Sequence, residues 1–265
     1  MVLVQHNVEY ERLRAQVPEL TDAQYENLKA VEIDLCNRSD AVVCVSDNDR
    51  QKLGEDGVEP DLLHVVPHGV DLAAFDAGPV VDARTQFDIP AENPLLVFHG
   101  TFSYPPNRDA LRIFAEILLP GLEARGFSCH LLAVGRDAPD SSPHPRILLT
   151  GCVDRVGPWL RAADLAVVPL VEGGGTRKKI IDCFAASLPV ISTGKGIEGI
   201  PVIDNEQALI CDGWPELIDA VCKLVASPER ARALGSAGRA LAESLDWSEI
   251  ARRYRELYAT LGAGR

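Results

Sequence analysis

The chain has 265 residues, 46% of them hydrophobic and 25% charged, which is enough for one large domain or two small ones. A formal charge of −13 with no basic tail argues against nucleic acid and anionic lipid surfaces as partners. No apolar run approaches the ~18 residues of a membrane span, and the opening "MVLVQHNVEY" lacks a basic region and reaches His6 too early for a signal peptide.

Taken in chain order, short apolar runs alternate with helical patterns. The expected strands are "VLVQ", "AVVCVS", "LLHVVP", "LLVFHG", "CHLLAVG", "RILLTG", "LAVVPL", "PVIST" and, less distinctly, "ALIC". Helices are expected near residues 19–37, 47–54, 107–118, 155–162, 176–187, 214–226 and 228–244, and a last one over "WSEIARRYRELYATL" places Ile250, Tyr254, Leu257 and Tyr258 on one stripe. Fully apolar strands separated by helices indicate a doubly wound α/β fold with parallel sheets. The Pro- and Gly-containing stretch around residues 67–80 reads as a linker. It divides a first unit, 1–75, with few strands from a fuller second unit, 76–245, and residues 246–265 form a terminal helix. The apolar faces of "VLVQ" and of that helix are expected to lack partners, which invites self-association or a separate chain that supplies strands.

The seven cysteines form no C-x-x-C and mostly lie in apolar contexts such as "AVVCVS" and "ALICDG". They read as reduced core residues of a cytoplasmic protein. Neither they nor the six histidines cluster as a zinc site requires.

The stretch "VVPLVEGGGTRKKIIDCFAASLPVIST" carries the clearest chemical signal. A buried strand runs into Gly173, Gly174 and Gly175, then Arg177, Lys178 and Lys179 stand where a helix begins. Cations are unfavourable at that end of a helix dipole. Thr176 is the expected N-cap. Arg177 falls one turn before Ile181, on the apolar stripe, and so faces the mouth of the sheet. A glycine turn with cations and free N–H groups is suited to an anion, and a bound phosphate turns misplaced cations into partners. The alternative is a solvated basic helix start with Lys178 paired to Asp182. Two other motifs are set aside. "GKGIEG" follows a strand but leads to Pro201 instead of a helix, unlike a dinucleotide site. In "SDND", Ser46 and Asp49 read as a helix cap.

The same stretch resembles the nucleotide-sugar loop of GT-B glycosyltransferases of family 4. Other segments agree in order: "HNVEY", "RSDAVVCVSDNDRQKL", "HVVPHGVDLAAF" (with His68 where the family has Asn), "GCVDRVGPWLRAADLAVVPL" and "DWSEIARRYRELY". The resemblance implies a GT-B fold with a truncated acceptor-side unit and a nucleotide-sugar-binding Rossmann-like unit. It also implies a retaining sugar transfer from a UDP- or GDP-linked donor to a glycan, lipid-linked or other acceptor, in a setting of polysaccharide biosynthesis, without metal or further cofactor. Carried over by position, His6 and Asp182 are the catalytic candidates, His6 facing the transferred sugar and Asp182 the ribose. Gly100, Arg108, Arg136, Val153, Gly174, Gly175, Thr176, Arg177 and Lys179 are the donor-binding candidates. The family's phosphate clamp departs here: in "HGTFSYPPNRDAL" Thr101 and Asn107 stand at its positions, so Arg177 and Lys179 are expected to take over the charge. A non-catalytic binding or assembly protein of the same descent, or a sugar-nucleotide epimerase, is the competing reading.

Overall fold

In the computed structural model, which describes residues 1–17 and 19–263, the chain forms two parallel sheets in succession. The first has the order β1-β2-β3 and is built from β1 (Val2–Gln5), α1 (Glu9–Gln16), α2 (Asp22–Asn37), β2 (Ala41–Cys44), α3 (Asp47–Glu55) and β3 (Leu63–Val65). Helix α2 opens on a capping box between Thr21 and Gln24, and α3 opens on Ser46, whose hydroxyl accepts the Asp49 N–H at 3.1 Å. Helix α1 is absent from the apolar pattern for a physical reason: it buries only Tyr10, so it carries no stripe for periodicity to reveal.

The chain then crosses through α4 (Leu72–Asp76), a short helix inside the expected linker region, and α5 (Ala83–Gln86), just after it. The second sheet follows: β4 (Leu95–His99), α6 (Pro105–Ile113), α7 (Leu119–Glu123), β5 (His130–Val134), β6 (Ile147–Gly151), α8 (Gly157–Leu160), β7 (Leu165–Val168), α9 (Lys178–Ala185), β8 (Val190–Ser192), α10 (Gly194–Ile197) and β9 (Leu209–Ile210). A π turn over Phe114–Leu118 joins α6 to α7. It widens the helix just before Pro120, which has no N–H to give and would press on the preceding turn. Helices α11 (Trp214–Val225) and α12 (Pro228–Glu243) pack outside, and α13 (Trp247–Ala263) closes the chain. Residues 264 and 265, the expected end of the last helix, lie outside the described residues.

Helix α13 returns to the first sheet. Alternate residues of the strands face opposite ways, so Val42 and Cys44 pack with Tyr10, Cys36 and Leu53, while Ala41, Val43 and Val66 pack with Ile250 and Leu257. Val2, Val4, Tyr254 and Leu261 flank this second cluster. The expectation that "VLVQ" and the last helix lack apolar partners is therefore corrected: they cover one another. Tyr258 does not belong to the packed stripe and is 51% exposed, because Leu261 takes the next turn on that face. The two chain crossings are zipped together where Val70 donates to Leu245 and accepts from Trp247, at 2.9 and 3.0 Å. Gly69 lies flat under the Trp247 indole, where a Cβ would come within 2.6 Å of the ring. No helix among the described residues is long and apolar enough to cross a membrane.

Candidate functional site

The second sheet has the order β6-β5-β4-β7-β8-β9, so the winding reverses between β4 and β7. Outside the carboxyl ends of those two strands is the crevice where open parallel sheets take ligands. Gly100 and Gly135 meet there. A Cβ on Gly135, whose φ is +145°, would overlap the Gly100 carbonyl oxygen, so the loops after β4 and β5 close together only without side chains. Arg136, exposed just beyond, holds the same loops through a 3.2 Å bond from its Nε to Thr101 Oγ1.

Across the crevice the turn after β7 carries Gly173 and Gly175 at φ of +114° and +72°. Arg177 is buried at 7% exposure, as expected, although it stands just before the first residue of α9 and not on the helix. Its Nη1 donates to the carbonyls of Gly174 and Gly175, at 2.6 Å for the latter, and its Nη2 stands 3.8 Å from Glu198. Its Nε and Nη2 have no hydrogen-bond partner among the described residues. A buried guanidinium with two idle donor positions is costly, and an anion would relieve that cost. Burial pulls the Arg177 pKa down.

Lys179 is the second enclosed cation. Its Nζ donates to Asn107 Oδ1 at 2.5 Å, lies 4.0 Å from the centre of the Phe98 ring and sits near Gly100. Burial above all, with Arg177 opposing and Cys183 and Asp182 favouring the charge, lowers its pKa to about 7. Asp182 is paired with His99, Nε2 to Oδ2 at 3.2 Å, and not with Lys178 as the solvated alternative had it. His99 ends β4 and Asp182 lies on α9, so this pair bridges the switch point. His99 went unnoticed in sequence; its signal was a histidine closing an otherwise apolar buried strand.

Thr176 does not cap α9. The helix begins two residues later, after Lys178 N donates to Thr176 O at 3.0 Å, and no side chain caps it. The Thr176 hydroxyl is buried without a partner beside Gly199, where a Cβ would stand 2.8 Å from it. "GKGIEG" leads to Pro201 with no helix after it, as expected; its own first four residues form the short α10, capped by Thr193. Arg108 is not drawn into the cluster: it is exposed on α6, and its side chain makes no ion pair or hydrogen bond among the described residues. Val153 is half-buried against the main core.

The first sheet presents the β1–α1 turn to the glycine loop, and a Cβ on Gly175 would overlap Asn7 Oδ1. His6, exposed, stacks on His68 with ring centres 5.6 Å apart and planes 7° apart. Burial first, then His6 and Lys178, lowers the His68 pKa. The turn is anchored by Glu32 of α2, whose carboxylate accepts from Gln5 Nε2 and from the N–H groups of Glu9 and Tyr10 at 3.0, 3.0 and 3.1 Å. A cleft of about 400 Å³ lies between this turn, α3 and the glycine loop. No group of three or more His, Cys, Asp or Glu side chains among the described residues is placed to hold a metal.

Comparison with known proteins gives a consistent picture. The family described as Glycosyl transferases group 1 matches residues 93–227, and Glycosyltransferase Family 4 matches residues 1–74. The D-inositol 3-phosphate glycosyltransferase of Segniliparus rotundus is 30% identical over 73% of this chain and 46% of its own length, and that of Xylanimonas cellulosilytica is 27% identical over 77% and 52%. The chain thus spans about half the length of these curated relatives. Among solved structures, sucrose-phosphate synthase from Thermosynechococcus elongatus superposes with a TM-score of 0.76 at 24% identity, over 100% of this chain and 68% of that one. The Anabaena protein HepE in complex with UDP superposes with a TM-score of 0.77 at 15% identity, over 98% and 72%. The fold is of the GT-B type.

Proposed function

The chain belongs to the group 1 glycosyl transferases, and from that premise we propose that it binds a nucleotide sugar at the β4/β7 switch point and transfers the sugar with retention of configuration. The observation that carries this reading is Arg177: a buried guanidinium with two idle nitrogens, folded back on a glycine turn. In the reaction, the bond between sugar and diphosphate breaks and negative charge builds on the leaving phosphate. Groups already aimed at that position need no reorganisation as the charge develops. Arg177, Lys179 and the backbone of residues 173–176 are such groups, and Gly100 and Gly135 let the diphosphate approach main chain. On arrival of a diphosphate, Lys179 takes up a proton if the solution is above about pH 7. Asp182 then accepts from the ribose hydroxyls, exchanging or sharing its contact with His99. His6, on the β1–α1 turn of the other sheet and stacked on His68, is the candidate to face the transferred sugar. HepE holds UDP, which makes a uridine nucleotide the first donor to try. The acceptor enters from the side of the first sheet.

Calorimetry with UDP, GDP and their sugar conjugates tests this. Arg177→Ala should weaken nucleotide binding by roughly 1.5–3 kcal/mol, the value of a charge-assisted hydrogen bond. Unchanged affinity would sink the assignment. Nucleotide binding without transfer to any acceptor would favour the non-catalytic reading.

A further inference from the structure

Tyr104 ends the loop after β4. The Pro105 that follows disfavours the helical region for it, so it stands extended, at φ −74° and ψ 120°, as the N-cap of α6. Its backbone is fully engaged. The N–H donates to the Thr101 carbonyl at 3.3 Å, and the carbonyl accepts from the N–H groups of Asn107 and Arg108 at 3.0 and 3.2 Å. The same loop is tied to α9 through Asn107, which donates from Nδ2 to the Thr101 carbonyl at 2.8 Å and accepts from Lys179 Nζ at 2.5 Å.

From this fixed base the side chain reaches over the crevice to the turn after β7. A Cβ on Gly173 would stand 2.9 Å from the Tyr104 hydroxyl oxygen and 3.1 Å from Arg177 Nη2. The phenol and the guanidinium thus converge on one opening, which exists because residue 173 carries no side chain. They do not bond to one another. The Tyr104 hydroxyl makes no hydrogen bond among the described residues, and Arg177 Nη2, though buried, has no partner either. They are nevertheless in electrostatic reach: burial lowers the Arg177 pKa, and Tyr104, ahead of Glu198, opposes that shift. Two idle donors at one opening suit an acceptor that presents several lone pairs and negative charge, which is the chemistry of a phosphate group.

We infer that Tyr104 is a further phosphate-binding residue of the donor crevice, its hydroxyl and Arg177 Nη2 donating to the same phosphate group from the two walls. That the phosphate belongs to a nucleotide sugar rests on the transferase reading above; that a phosphate is held between Tyr104 and Arg177 rests on their geometry over Gly173.

Calorimetry on the full chain with pyrophosphate and with UDP, comparing the parent with Tyr104→Phe, tests the inference. Loss of the hydroxyl alone should weaken both ligands by the same factor, about fivefold or more. Without ligand the variant should melt at the parental temperature, since the hydroxyl holds nothing in the free protein, and pyrophosphate should stabilise it less than it stabilises the parent. Unchanged pyrophosphate affinity, a loss confined to UDP, or a lowered melting temperature of the free variant would each overturn the inference, as would a parent chain that does not bind pyrophosphate. The transferase reading fails separately: a parent chain that binds UDP no more tightly than pyrophosphate counts against it, while a Tyr104→Phe loss measured with pyrophosphate still supports the shared phosphate.

Discussion

The two sheets solve the same packing problem at different scales. The second is six-stranded, covered on both faces and served by one continuous core running from Val70 to Leu245. The first is three-stranded and splits its apolar contacts into two small clusters, one of which exists only because α13 returns to it. Chemistry divides in the same way. The second sheet holds its cations and glycines deep at a switch point, fixed by packing. The first contributes groups on turns, His6 and Asn7 above all, and fixes them with polar anchors such as Glu32. A small core thus relies on a borrowed helix and on hydrogen bonds where the larger one relies on burial.

The largest expected effect tests that dependence. Ile250→Asp places a charge between α13 and the first sheet, a cost of about 3–5 kcal/mol for an unpaired buried ion. Hydrogen exchange should then rise across β1, β2 and β3 while β4 to β8 keep their protection. Uniform loss over both sheets would show that they unfold as one unit.

Next comes Lys179. Its pKa is lowered on folding, so the unfolded chain binds the extra proton between about pH 7 and the ordinary lysine value, and stability from this site rises with pH across that window. Lys179→Met should therefore be favoured over the parent at pH 6 relative to pH 10, by something on the order of 2 kcal/mol. Denaturant titrations at the two pH values check it; a pH-independent difference would place the amine in water.

Gly135→Ala tests the close approach of loops at the donor crevice. Its Cβ meets the Gly100 carbonyl oxygen, so a loss of about 2 kcal/mol is expected from backbone strain, together with weaker nucleotide binding. A chain with parental melting temperature and affinity would mean that the loops part easily.

The smallest effect is the most specific. Asp182→Asn keeps shape and removes charge, so UDP affinity should fall by about 1 kcal/mol while pyrophosphate affinity is unchanged. Equal losses for both ligands would assign Asp182 to electrostatics at the start of α9 rather than to the ribose.

All nine strands among the described residues were legible as apolar runs, most clearly β2, β4, β5, β7 and β8, whose burial along nearly their whole length leaves a local, unbroken signature. The burial of Arg177 was expected from a helical stripe shared with Ile181, but Arg177 precedes α9 in a non-helical conformation, so the turn after Gly175 sets its direction. Helix α1 was not legible, being polar nearly all round, and Thr176 was misplaced because caps depend on where the turn before the helix ends. Beyond these, only tertiary structure could decide the partners. The pairing of His99 with Asp182 spans 83 residues, that of Lys179 with Asn107 spans 72, and α13 lies on strands at the other end of the chain. Sequence determines which side chains want burial and at what period, which is a property of neighbours along the chain. Which buried groups meet depends on how two sheets wind and where the chain crosses between them, and that is set by long-range packing that no local pattern records.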